Sequence, residues 1–311
     1  MTQVEFSRRA ALMLGGLPAL MALPVRAQTA PAAPGFAGRA QTIGLGAFQV
    51  TTLLGGESMR PDPIGTFGIG VDKAEFDRVS AENFLPPDRA GSSFTLTLVK
   101  TPKALILFDT GMVPENNRAS LAVAGYTPAD VTHIVLTHMH PDHISGLMAG
   151  GQPNFPNAAL IFPKLENDYW SVNPSDAYTA NVAPLVANAR QIGDGDEILP
   201  GIRAEAAHGH TPGHTTYLLE SDGQRLLLTG DTFNHYAYSV GHPDWHVRFD
   251  IDKDMGAATR ARVLARLADE RIPCIGYHMP FPALAFIAPN GVGSNGAGSY
   301  RYVPATYQFA G

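Results

Sequence analysis

The stretch THMHPDH, residues 137–143, decides the fold, because it places four side chains that can bind a metal within six residues. Residues 131–137 are mostly apolar and β-branched, which predicts a buried strand. Residues 142–148 begin with an acid, as the first turn of a helix often does. The stretch is therefore predicted on a strand-to-helix turn, with His138 and His140 pointing one way and Asp142 and His143 beside them.

The composition is that of an ordinary globular protein. The chain has 311 residues, of which 45% are hydrophobic and 16% charged, and its formal net charge is −6. No basic stripe accompanies this negative charge, so nucleic acid is not an expected partner. Cys274 is the single cysteine, which excludes a disulfide within the chain.

Residues 1–27 are predicted to be an export signal peptide. The pair Arg8-Arg9 precedes an apolar run at residues 10–23, and small residues follow at 25–27. The pair resembles a twin-arginine signal, and a general secretory signal is the alternative. The apolar run is short for a span of ~20 residues, so we expect no stable membrane insertion after signal removal. Residues 28–35 are predicted to be a flexible leader, residues 36–311 one domain, and the location periplasmic.

The remaining pattern predicts an α/β fold. Strands come first and then alternate with helices, which indicates two sheets between helical layers, a four-layer αββα sandwich. Residues 55–92 and 281–300 contain many glycines and prolines and are predicted to be loops that shape a pocket. The predicted strands are 48–54, 93–99, 104–108, 131–137, 159–162, 202–206, 215–219, 225–228 and 272–276, and the predicted helices are near 117–124, 164–170, 176–189 and 254–270.

Three more motifs place polar side chains where predicted strands meet loops. They are HGHTPGH at 208–214, LLLTGD at 226–231 and GYH at 276–278. A strand end holds a side chain rigidly while the adjoining loop is free to turn, so functional groups gather there.

Together with residues 137–143, these motifs resemble the metallo-β-lactamase superfamily. Residues 155–158, 209–217 and 300–304 resemble its methyl parathion hydrolase branch. Members of that branch are exported dinuclear hydrolases of organophosphate triesters and esters. The resemblance therefore implies the metallo-β-lactamase fold and a hydrolytic metal centre.

The resemblance also implies a set of metal ligands. Two divalent ions are expected, with Zn²⁺ the first choice and Mn²⁺, Co²⁺ or Fe²⁺ also suited to nitrogen and oxygen ligands. A hydroxide bridging two ions ~3.5–4 Å apart would attack the ester bond, with Asp142 and Asp231 as catalytic residues. By motif position, the ligands would be His138, His140 and His214 for one ion, Asp142, His143 and His278 for the other, and Asp231 bridging both.

Other residues are expected around these ligands. Asp109 matches a position that braces the metal loops in the superfamily, and His210 is expected to orient a ligand rather than to bind metal. Trp170 matches a pocket aromatic of the branch. Met279 and Phe281 flank His278 and are candidates for the pocket wall, with packing in the core as the alternative.

The expected function is that of an exported, dinuclear, metal-dependent hydrolase. Its substrate would be a small molecule with an ester-type bond: a carboxylic ester, a lactone or a phosphotriester. A homodimer is common in the branch. Three alternatives stay open: an acyl-homoserine-lactone-type lactonase, a mononuclear iron thiol dioxygenase and a non-catalytic metal-binding protein. Asn234 stands where such lactonases often have tyrosine, and Cys274 matches no ligand position of a zinc β-lactamase.

Overall fold

The computed structural model describes residues 36–292 and 298–305. The predicted signal peptide and leader lie outside these residues. The strands are β1 (Ala40–Leu45), β2 (Phe48–Pro61), β3 (Arg89–Lys100), β4 (Leu105–Phe108), β5 (His133–Val135), β6 (Met148–Ala149), β7 (Gln152–Pro153), β8 (Ala159–Pro163), β9 (Arg190–Ile192), β10 (Glu197–Leu199), β11 (Ile202–Ala206), β12 (Thr215–Ser221), β13 (Gln224–Gly230), β14 (Cys274–Gly276), β15 (Leu284–Val292) and β16 (Gly298–Pro304).

Helices connect these strands. They are α1 (Pro63–Phe67), α2 (Lys73–Glu82), α3 (Pro114–Val123), α4 (Pro141–Ile144), α5 (Lys164–Val172), α6 (Asp176–Asn181), α7 (Tyr238–Gly241) and α8 (Lys253–Glu270). Short 3-10 turns follow at Pro128–Asp130, Ser145–Leu147 and Ala183–Asn188. Within the described residues, no helix is both long enough and apolar enough to cross a bilayer.

Two seven-stranded sheets form the centre of the fold. The first has the order β1-β2-β3-β4-β5-β8-β9 and the second the order β10-β11-β12-β13-β14-β15-β16. Strands β4 and β5 are parallel, and so are β13 and β14. The carboxyl ends of parallel neighbours lie at one edge of a sheet, so the loops after these four strands meet there.

Apolar side chains from both sheets fill the space between them. Val50, Ile106 and Val135 of the first sheet share one core with Leu219 and Leu227 of the second. Helix α8 packs on the outer face of the second sheet through residues spaced three and four apart, and a separate core lies under the helices on the outer face of the first sheet. The predicted four-layer αββα arrangement is therefore confirmed.

Two segments that were predicted to be loops are largely regular structure. Within residues 55–92, β2 continues to Pro61, helices α1 and α2 follow, and β3 begins at Arg89. Asp62 and Asp72 cap the two helices, a signal that the many glycines and prolines obscured. Within residues 281–300, β15 and β16 pair antiparallel at the edge of the second sheet, and residues 293–297 lie outside the described residues.

Candidate metal centre

The loop after β5 is braced from below by Asp109, which follows β4. One oxygen of Asp109 accepts hydrogen bonds from the backbone N–H of Thr137 (2.8 Å). The other accepts from the Thr137 hydroxyl and from Nδ1 of His143, each at 2.9 Å. Because Asp109 is buried, this bonding fixes the loop and the His143 ring before any ion binds.

Six of the seven expected ligands, together with His210, converge at the edge where the two sheets meet. Nδ1 of His140 lies 3.1 Å from Nε2 of His138 and 2.9 Å from Nε2 of His210. On the other side, an oxygen of Asp142 lies 3.3 Å from Nε2 of His278. Candidate metal-binding groups are His138, His140 and His210; His138, His143 and Asp231; and Asp142, His143 and His278.

Asp231 lies between these groups. One oxygen is 3.2 Å from Nε2 of His143, and the other is 3.0 Å from Nε2 of His278 and 3.4 Å from Nε2 of His210. The first oxygen of Asp231 and Nε2 of His143 are both buried without a hydrogen-bond partner. Buried polar atoms are rarely left unpaired, so these two atoms fit ligands of a metal. The residues as a whole fit a dinuclear divalent metal site.

The metal-free geometry places His210 and His214 differently from their expected roles. His210 points Nε2 into the cluster, whereas both ring nitrogens of His214 face the backbone. Nε2 of His214 accepts the N–H of Asp231 (3.0 Å), and its Nδ1–H donates to the carbonyl of Ala207 (3.1 Å). Gly230 permits this approach, since a Cβ there would lie 2.7 Å from Nε2 of His214. In the absence of metal, His214 thus holds the backbone at Asp231, and its role as a ligand stays a prediction.

Sequence reasoning did not find the groups that hold His210. Nδ1 of His210 donates to Asp250 (2.8 Å), and the other oxygen of Asp250 accepts from the guanidinium of Arg260 (2.6 Å). Arg260 is fully buried and also donates to the carbonyls of Thr232, Pro243 and Trp245. One signal was available: Arg260 lies on the apolar face of helix α8, where a lone arginine needs a buried partner.

Glu166 braces the loop of residues 208–214, which carries His210 and His214. Its carboxyl group is buried and accepts hydrogen bonds from the hydroxyl of Thr211, the N–H of Gly213 and the indole N–H of Trp170. Burial raises the pKa of Glu166 to about 8, although the indole and backbone donors act in the opposite direction. Trp170, expected in the pocket, is half-buried beside His140, with ring centroids 5.8 Å apart.

Electrostatics divides the metal-free cluster in two. Burial lowers the pKa of His138 well below its ordinary value, and burial with neighbouring His210 lowers that of His140 to about 3. Burial also acts against charge on His278, yet Asp231 and Asp142 raise its pKa to about 9. The first two rings thus offer free lone pairs, and an ion at His278 has to displace a proton.

The carboxylates show the reverse behaviour. Burial works against ionisation of Asp231 and Asp142, but His143 and His278 hold the pKa of both carboxyls well below the usual range. Both groups therefore stay ionised, which suits a ligand. For Asp142 the low pKa favours the role of ligand over that of proton carrier.

A cavity of about 570 Å³ opens beside His278. Its wall is mostly apolar and includes Met59, Leu85, Tyr236 and Pro280 together with His235. Met279 does not line this wall; its side chain is fully buried in the core, which is the alternative that the sequence left open. Phe281 is half-buried and does not line the cavity, although the neighbouring Pro280 does.

Comparisons with known proteins identify the family. The family model described as the metallo-beta-lactamase superfamily matches residues 95–276. An N-acyl homoserine lactonase of Bacillus cereus is 31% identical over 189 residues, which cover 51% of this chain and 72% of the relative. A second such lactonase, from a Bacillus species, is 33% identical over 108 residues, 34% of this chain and 40% of the relative, so this match spans less than half of that protein.

Solved structures give the same fold. AidC, a dizinc quorum-quenching lactonase in complex with its product, has a TM-score of 0.77 and 26% identity, with 86% of this chain and 97% of AidC covered. The hydrolase AbOPH has a TM-score of 0.77 and 24% identity, covering 87% of this chain and 98% of its own, which supports the fold alone. The chain therefore belongs to the metallo-β-lactamase superfamily and is a metallo-hydrolase.

Proposed function

We propose that the protein is a dinuclear zinc hydrolase of carboxylic esters, with lactones as its first substrate class. The observation that carries the proposal is the position of Asp231, whose carboxylate lies within 3.4 Å of His210 in one group of metal-binding side chains and of His143 and His278 in another. A carboxylate in that position can hold two ions close together. Zinc is proposed because nitrogen-rich sites with carboxylates suit it.

The groups around Asp231 would hold two divalent ions, which would supply a water molecule of lowered pKa and a polarising charge for the ester carbonyl. The chain's own residues keep the site ready for this chemistry. Asp109 and Asp250 hold the rings of His143 and His210 by their second nitrogens. The hydroxyl of Ser92 and the carbonyl of Ser93 lie 3.0 and 3.1 Å from Nδ1 of His278 and hold that ring in the same way. The reacting groups therefore need little rearrangement.

Lactones are favoured over phosphotriesters by two observations. The relatives with the matches described above are N-acyl homoserine lactonases. The cavity beside His278 has apolar walls that suit the arm of such a substrate. The methyl parathion hydrolase branch stays a prediction, and a phosphotriester belongs in the test.

The test is hydrolysis by zinc-loaded protein of an N-acyl homoserine lactone, a p-nitrophenyl ester and a phosphotriester. We expect turnover of the lactone and the ester, and a loss of roughly a thousandfold in Asp231→Ala, because both ions lose a shared ligand. Glu220→Gln, an exposed change on β12, is the matched control and should leave turnover unaltered. Full activity of Asp231→Ala, or turnover of the phosphotriester alone, would contradict the proposal.

Export to the periplasm and a homodimer are proposed on the resemblance and the N-terminal pattern. Replacing Arg8 and Arg9 by lysine should retain the protein in the cytoplasm if the twin-arginine route is used. Fractionation of cells followed by immunoblotting measures this. Light scattering on the purified protein gives the mass in solution, and the mass of a single chain would contradict the dimer.

A further inference from the structure

One imidazole on the cavity wall belongs to none of the candidate metal groups. His235 follows Asp231 by four residues, and only 2% of the residue is exposed. Its Nδ1 accepts the backbone N–H groups of Ala237 (3.2 Å) and Tyr238 (3.3 Å), while its carbonyl accepts those of Ser239 and Val240. His235 thus caps the start of α7 with its own ring, in the way that asparagine caps a helix.

The ring is also held from its faces. Its centroid lies 4.8 Å from that of Tyr236 and 4.4 Å from that of Tyr238, and both pairs are stacked. Phe67 approaches at 5.1 Å with its ring tilted. A ring fixed by stacking and by two backbone hydrogen bonds presents its free edge in one direction.

That free edge carries a donor. Because Nδ1 accepts two hydrogen bonds, the proton of the neutral ring resides on Nε2. Burial lowers the pKa of His235 to about 3, so the ring is neutral over the working range of the enzyme. Within the described residues Nε2 has no hydrogen-bond partner. It is also not one of the fully buried side-chain atoms that lack a partner, such as Nε2 of His143. His235 lines the cavity, and Nε2 is the ring nitrogen left free to contact a ligand there.

We propose that Nε2–H of His235 donates a hydrogen bond to a neutral acceptor, such as an amide carbonyl, on the arm of the substrate that fills this cavity. His278 lines the same cavity, which places the donor beside the metal centre. Among the residues that the structure describes, no lysine or arginine lines the cavity and Glu57 does, so an anionic arm is disfavoured. The inference rests on the proposed ester hydrolysis and adds a residue that selects among esters.

Two substitutions separate the donor from the cap. His235→Asn keeps an acceptor where Nδ1 lies and removes the donor at Nε2. His235→Gln places an amide donor near Nε2 and removes the capping acceptor. Zinc-loaded variants are compared on an N-acyl homoserine lactone and on a γ-alkyl lactone of the same length without the amide, and the measured quantity is the ratio of their kcat/KM values.

We expect the ratio to fall about tenfold in His235→Asn, mainly through KM, because one neutral hydrogen bond to the substrate is lost. His235→Gln should keep the ratio within about threefold of the parent although its unfolding free energy falls through loss of the cap. His133→Asn is the matched control, since that half-buried histidine lies on β5 and not on the cavity. Bound zinc and unfolding free energy are measured for every variant.

An unaltered kcat/KM ratio in His235→Asn would overturn the inference. Equal decreases of the ratio in the Asn and Gln variants would also overturn it, because they would indicate a structural effect. A decrease of the ratio in Tyr236→Phe without a decrease in His235→Asn would assign the donor to the neighbouring phenol instead. Failure of the proposed function looks different: the zinc-loaded parent would hydrolyse neither lactone, and the inference would fall with it.

Discussion

The imidazoles of the metal centre and the side chains of the cavity wall are held in different ways. His143, His210 and His278 each have a second ring nitrogen in contact with a neighbouring polar group, and all three are buried. On the cavity wall, Leu85 is half-buried and Met59 is 62% exposed. The metal-binding atoms are therefore fixed by a polar network, whereas substrate preference depends on side chains that can be substituted with little loss of unfolding free energy.

The largest effect on stability is expected when a carboxylate that supports the metal centre is removed. Asp250→Ala leaves the guanidinium of Arg260 buried without its partner, and we expect the free energy of unfolding to fall by about 3–5 kcal/mol. Urea denaturation of the metal-free protein measures this. Lys73→Ala, which removes an exposed ion pair, should cost less than about 1 kcal/mol. Similar losses in the two variants would contradict the account.

A smaller effect is expected at the brace of the His143 loop. Asp109→Asn keeps the shape of the side chain but replaces one accepting oxygen with a donor. Zinc affinity should fall by about 10–100-fold, since the ring of His143 loses the group that orients it. Competition with a chelating dye gives the affinity, and Asp88→Asn on the surface is the control. Unaltered affinity would show that the brace is dispensable.

Glu166 gives a pH-dependent prediction for the metal-free protein. Its pKa is raised from 4.5 to about 8 by burial, so the folded state binds more protons than the unfolded state between these values. Its contribution to stability is complete below the ordinary pKa and declines as pH rises toward 8, by at most about 1.4 kcal/mol per pH unit. Urea denaturation from pH 5 to 9 should therefore show a shallower decline in Glu166→Gln than in the parent. Equal slopes would contradict the prediction.

The smallest effect is expected on the cavity wall. Leu85→Ala removes apolar surface from a half-buried position, so the free energy of unfolding should change by about 1 kcal/mol or less. For lactones with a long apolar arm, KM should rise several-fold while zinc content stays the same. A steady-state assay with metal analysis checks both. Loss of zinc in Leu85→Ala would show that wall and metal centre are not independent.

Local pattern was sufficient to predict most strands of the sheets, whereas the expected ligand set came from the resemblance to a known family. The apolar run before residue 137 and the ligand spacing after it require a strand end. The roles of His210 and His214 were not predictable in this way. Both histidines lie in one short loop, and only the fold shows that Nε2 of His214 accepts a hydrogen bond from the backbone N–H of Asp231.

The positions of Asp250, Arg260 and Met279 also depend on long-range contacts. Asp250 lies 40 positions from His210, and Arg260 lies ten positions further, so no local pattern joins them. Met279 follows His278 directly, but the chain turns after β14 and directs the methionine into the core. Long-range contacts therefore decide which neighbours of a motif take part in it.

The number of zinc ions bound per chain, measured by elemental analysis after dialysis, decides whether the site is dinuclear and which histidine binds metal. We expect two ions for the parent, one for His210→Ala, and two for His214→Ala, with the last variant easier to unfold. Two ions in His210→Ala together with one in His214→Ala, or a single ion in the parent, would contradict this expectation.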